Sequence, residues 1–223
     1  MGNVILLIAG GIKLALPFIL IYLWRKRTNT RFTPLLAGLG LILLVTLIRG
    51  AIRSGFDKSD FLVNFTQQSF LTSVLEEGCR FIAFAYVLKN FDRREDAVFY
   101  GIGHGFFESV GSGFATLNLI ATDKAADLSI PMSHLFLSCP ATIIGTLWHI
   151  LMSVLMFRAV RNGKAKIYLP IAVFLHMFTN FANTFLPVGA DIIFALIEVT
   201  IMFIVTSKLY EQMAPFDSEK INN

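Results

Sequence analysis

Glu76, Glu77 and Arg80 interrupt the otherwise apolar run 70–88. Two carboxylates and a guanidinium at membrane depth cost roughly 2.5–3.5 kcal/mol each on insertion scales, so a chain keeps them when they pair, line a wet cavity or do chemistry. Arg80 stands one helical turn beyond both acids and can pair with either. One reading is a charge-compensated triad that fixes helix packing. The other is a carboxylate base that takes a proton from water.

More residues of this kind fall in the same slab. Measured from the cytoplasmic face at about 1.5 Å per helical residue, Glu76 lies roughly 18 Å deep and Arg80 roughly 12 Å. By the same measure His104 and Glu108 lie roughly 10 and 16 Å deep, His149 roughly 13 Å, and His176 and Asn180 roughly 12 and 18 Å. Each has an ordinary alternative. His104 suits a hydrogen-bonded packing histidine, oriented by Glu108 one turn later. His149 is a lone histidine beside Trp148, and His134 an interfacial one. His176 and Asn180 share a helix face that could hold an oxyanion or serve as interhelical glue. His104, Glu108, His149 and His176 are of the types that bind zinc, but no HExxH pair is present, so the spacing leaves the cofactor open between zinc and none. Lys13 and Glu198, at mid-depth in the first and last spans, are expected to pair with each other.

The elements that must position these groups are membrane helices. The chain has 223 residues, 55% of them hydrophobic, with 22 Phe and a mean hydropathy of +0.67. Its apolar residues come in blocks of about 20, separated by short charged loops. This predicts an all-α fold, a polytopic membrane helical bundle of about seven transmembrane helices. The spans fall at 4–24, 32–48, 61–88, 97–119, 135–156, 168–186 and 192–210. The glycines of the fourth span read as close helix packing. No linker interrupts the chain, so 1–223 reads as a single membrane domain with its catalytic core at about 70–186 and a cytoplasmic tail at 211–223.

Thirteen loop lysines and arginines fall on one side of this map and four on the other. The bias predicts a multi-pass cell-membrane protein with its N-terminus outside and its C-terminus cytoplasmic. The net charge of +4 then belongs to cytoplasmic loops. With no basic–aromatic array, nucleic acid is excluded as a partner. Positive charges follow the first apolar run at Arg25-Lys26-Arg27, the reverse of a signal peptide, so an uncleaved span is expected. Cys79 and Cys139 lie in different spans and read as buried, reduced thiols.

Taken together, Glu76-Glu77-x-x-Arg80, Tyr100-x-x-x-His104 and His176-x-x-x-Asn180 resemble the EExxxR, FxxxH and HxxxN motifs of the CAAX-protease and bacteriocin-processing (CPBP) intramembrane proteases. The string from Gly101 to Glu108 and the Trp148-His149 pair are closer in style to the YhfC branch. The spacing to Arg80 is one residue short of the commoner form, and Tyr100 stands for Phe. The resemblance implies an intramembrane endopeptidase acting on a membrane-anchored peptide or protein within the lipid bilayer. It implies Glu76 as general base, His104 positioning it, His176 and Asn180 stabilising the oxyanion, and Glu77 and Arg80 orienting the site. Members of the wider group are read both as metal- and as glutamate-dependent enzymes. A transporter or channel with an intramembrane proton or ion site is the alternative, though no internal repeat marks one. A non-catalytic, immunity-type binding protein is another.

Overall fold

Apolar runs closed by basic and turn residues set the helices. The computed structural model describes residues 2–55, 60–122, 132–187 and 189–213. Among them are α1 (Gly2–Thr28), α2 (Phe32–Arg53), α4 (Arg94–Ala121), α5 (Met132–Arg161), α6 (Ala165–Phe185) and α7 (Ala190–Glu211). Between α2 and α4 runs α3, a rod of four abutting segments: Phe61–Phe65, Thr66–Leu71, Thr72–Ile82 and Ala83–Val87. The second and fourth segments are π-helical. Asp60 caps the start of α3, its side chain accepting from the Val63 N–H at 3.0 Å. The turns before α6 and α7 pass through Gly163 at φ +68° and Gly189 at φ +100°, where a side chain would be strained.

The molecule is an all-helical membrane bundle. Helices α1, α2, α5, α6 and α7 are long and apolar enough to cross a membrane. Their outward side chains, such as Leu7, Phe18, Leu47, Ile193 and Phe203, are exposed and apolar, as a lipid-facing surface requires. The expected third and fourth spans do not meet that standard, because α3 is broken by its π segments and α4 carries acids and a histidine. These two helices hold the polar interior. Along α3 the usual amphipathic pattern is inverted: Ser73, Glu76, Glu77 and Arg80 are buried, while Phe70, Val74, Ile82 and Tyr86 are exposed.

α4 forms the centre, packed on α1, α2 and α5, and its residues 95–105 are all buried. Two glycines make that approach possible. A methyl group on Gly101 would sit 2.5 Å from Ile150 Cα of α5, and one on Gly103 would sit 2.2 Å from the Leu35 carbonyl oxygen of α2. Aromatic rings fill the layer below the polar groups, with Phe84 4.7 Å from Tyr100 and 5.3 Å from Phe157 between centroids.

The basic helix ends gather on one face. Arg93 Nη2 donates to the Thr28 carbonyl at 2.8 Å, and Arg161 Nη2 to the Leu88 and Phe91 carbonyls at 2.7 and 2.5 Å. Trp24 Nε1 donates to the Glu95 carbonyl at 3.1 Å. The ends of α1, α3, α5 and the start of α4 therefore share one side. Most of the loop at 120–131, the His134 side chain and the tail beyond 213 lie outside the described residues.

Two expectations are corrected. Cys79 and Cys139 are free thiols but only half-buried, because each sits at the edge of its helix's buried face. Lys13 and Glu198 do not pair. Lys13 Nζ donates to Thr116 Oγ1 at 3.0 Å on α4, while Glu198 Oε2 accepts from Thr179 Oγ1 at 2.8 Å on α6. Each bonds instead to a threonine hydroxyl on a neighbouring helix.

Candidate active site

The segment Thr72–Ile82 is regular α-helix between two π-helical stretches, an irregularity frequent at functional sites. Its regular turn sends Glu76, Glu77 and Arg80 inward together. Arg80 pairs with Glu77 rather than Glu76, and both side chains are fully buried. Glu76 is left free for other helices.

Three helices reach that carboxylate. His104 Nε2 on α4 lies 3.2 Å from Glu76 Oε2, His176 Nε2 on α6 lies 3.7 Å from the same oxygen, and Arg49 Nη1 on α2 lies 3.6 Å from Oε1. His176 Nδ1 donates to Glu77 Oε1 at 2.7 Å. Arg80 Nη2 donates to His149 Nδ1 at 3.2 Å, which leaves the N–H of His149 on Nε2, where it meets Glu108 Oε2 at 2.8 Å. The rings of His104 and His149 lie 4.7 Å apart between centroids, those of His149 and His176 5.9 Å. Asn180, one turn beyond His176, donates to Ser73 Oγ at 3.1 Å.

The structure thus gathers Glu76, Glu77, Arg80, His104, His149 and His176 into one connected cluster. Glu108 stands behind it: its side chain is 48% exposed and touches His149, not His104 on its own helix. Asn180 is joined to the α3 helix through Ser73 rather than to the acids. Arg49 is the residue that sequence reasoning passed over. It stands near the end of α2, among the four loop cations of the charge count, and its i+4 neighbour Arg53 donates to Gln68 Oε1 at 3.1 Å, so this end of α2 faces α3.

The centre is rich in acceptors. His104 spends its Nε2 proton on Glu76, so its buried Nδ1 is a bare acceptor without a partner among the described residues, and Glu77 Oε2 is equally unpartnered among them. Buried acceptors left unmet cost about 1–3 kcal/mol each, so such a centre suits a cation or water. Glu76, His104 and His149 each present one ligand atom, all within 4.8 Å of one another, and all three residues are buried. The donor set fits a divalent metal of the zinc type, with Arg80 competing for His149 Nδ1.

A family model described as YhfC intramembrane metalloprotease matches residues 12–127, just over half the chain. The chain belongs to the YhfC intramembrane metalloprotease family. The matched stretch holds Arg49, Glu76, Glu77, Arg80, His104 and Glu108, while His149, His176 and Asn180 lie beyond it. No curated protein and no solved structure matches the chain.

Proposed function

We propose that the protein is an intramembrane endopeptidase that hydrolyses a peptide bond of a membrane-associated substrate, with Glu76 at the reaction centre. The observation that carries this reading is the convergence of His104, His176 and Arg49 on the buried Glu76 carboxylate from three separate helices. A purely structural ion pair needs one partner; Glu76 has three groups around it and no dedicated counter-ion of its own helix. Kinship with the wider CPBP group belongs to the same reading and rests on the Glu76, His104 and His176 motifs.

Glu76, His104 and His149 would hold the metal, with Glu108 fixing the His149 tautomer from outside, as a supporting carboxylate commonly does for a ligating histidine. When bound, such a metal polarises the scissile carbonyl and acidifies the attacking water. His176 takes the proton: Glu77 receives its Nδ1–H, so the Nε2 lone pair faces Glu76 and the centre. Arg80 keeps Glu77 charged and in place, and protonated His176 returns the proton to the leaving amine. Arg49, beside Glu76, and Asn180, one turn beyond His176, would donate to the developing oxyanion, an interaction often worth about 3 kcal/mol.

The test is cleavage of membrane-anchored reporter peptides by the purified protein in proteoliposomes, alongside elemental analysis. Activity with near-stoichiometric metal, both lost in His104→Ala, is expected. Full activity in a metal-free preparation would overturn the metal assignment, and activity untouched in His104→Ala the whole site.

A further inference from the structure

Away from this site, the ends of α5, α6 and α7 line a cavity of about 240 Å³ on the basic face. Arg158, Asn162, Lys164, Tyr168 and Gln212 supply its polar lining. Among the described residues no carboxylate lines it. The Nε of Arg158 is buried and has no hydrogen-bond partner among the described residues. Its neighbour Arg161 shares an unpartnered Nε, but its Nη1 and Nη2 are spent on the Phe84, Leu88 and Phe91 carbonyls. An unmatched buried guanidinium nitrogen, a lysine six residues on and a tyrosine hydroxyl make a cationic, donor-rich lining that lacks an anionic acceptor among the described residues. Phosphate oxygens are the natural complement.

We infer that this cavity binds the phosphate headgroup of an anionic phospholipid. Position favours a lipid over a soluble phosphate. The cavity lies at the mouth of three helices that are long and apolar enough to cross a membrane, on the face where the basic residues gather. Basic pockets between membrane helices on that face recur as headgroup sites. Exposed Ile167 and Ile171 continue along α6 beside Tyr168, offering a track for an acyl chain. The volume falls below the roughly 300–1,000 Å³ of sites that enclose a whole drug-sized ligand, and so suits a headgroup whose tails stay in the bilayer.

The experiment uses the full-length protein purified in a mild neutral detergent, with phosphatidylglycerol or phosphatidylcholine added. Native mass spectrometry counts retained lipid, and melting temperature is read on the same samples. Phosphatidylglycerol is expected to be retained about tenfold or more over phosphatidylcholine and to raise the melting temperature. Arg158→Gln with Lys164→Gln should abolish both effects, while Lys166→Gln, an equal loss of charge outside the lining, should abolish neither. Should the double variant fold poorly, Asn162→Asp adds a carboxylate to the lining without removing a side chain and should also abolish the preference. Equal retention of both lipids, or a preference that survives Asn162→Asp, overturns the proposal. So does inorganic phosphate that stabilises the protein as well as phosphatidylglycerol does, since that marks a soluble-phosphate site.

Discussion

His176 Nδ1 and Glu77 Oε1 meet at 2.7 Å, joining α6 to α3 through two side chains that are almost wholly buried. The same carboxylate holds Arg80, so a single acid compensates a guanidinium and orients an imidazole. Breaking a buried pair from one side leaves an uncompensated charge and typically costs about 3–5 kcal/mol. Glu77→Ala and Arg80→Ala are each expected to lose that much in detergent unfolding. The double variant Glu77→Leu, Arg80→Met should lose far less than their sum. Strict additivity would contradict the pairing.

Glu108 tests the opposite case. It is half-exposed and reaches the cluster only through His149, so Glu108→Gln should leave the melting temperature nearly unchanged. Metal affinity, measured by competition with a chelator, should fall about 10–100-fold, the usual effect of losing a partner behind a ligand. An unchanged affinity would remove Glu108 and His149 from the metal account.

The glycines of α4 separate close packing from mere flexibility. Gly101→Ala puts a methyl 2.5 Å from Ile150 Cα and should lower stability by about 1–3 kcal/mol through overpacking. Gly111→Ala, on the same helix with nothing within 4 Å, should be neutral or slightly stabilising because alanine favours helix. Melting temperatures of the two variants, side by side, decide the matter.

Depth was legible in the sequence, and partners were not. A buried glutamate or histidine in an apolar run announces itself, because lipid exposure would be costly; this is why Glu76, Glu77, His104, His149 and His176 stand out from the residues alone. Which of them touch is set by how α2, α4, α5 and α6 rotate around α3, and no single helix encodes that. Glu108 lies one turn from His104 yet bonds His149 on α5, since Gly101 lets α5 approach so closely. Lys13 and Glu198 have matching depth and opposite charge, but each finds a threonine on another helix first. Arg49 looked like a loop cation because it sits near the end of α2, where its long side chain reaches inward to Glu76.

Orientation is tested by labelling. With Cys79 and Cys139 replaced, single cysteines at the exposed positions Lys89 and Ser54 are expected on opposite sides of the membrane. An impermeant thiol reagent added to intact cells should label position 54 and spare position 89, as the basic helix ends dictate. Labelling at 89 without labelling at 54 would invert the topology.

The central claim is that Glu76 serves chemistry and not packing, and one pair of measurements on Glu76→Gln tests it most directly. The substitution keeps the shape and most hydrogen bonding at the contacts with His104, His176 and Arg49 but removes the charge. Melting temperature in detergent should hardly change, since loss of a costly buried charge offsets weaker hydrogen bonds. Cleavage of a membrane-anchored reporter in proteoliposomes should fall by at least ~10²-fold, the scale of removing one electrostatic group from a reaction centre. A well-folded Glu76→Gln protein that cleaves at the wild-type rate would contradict the account.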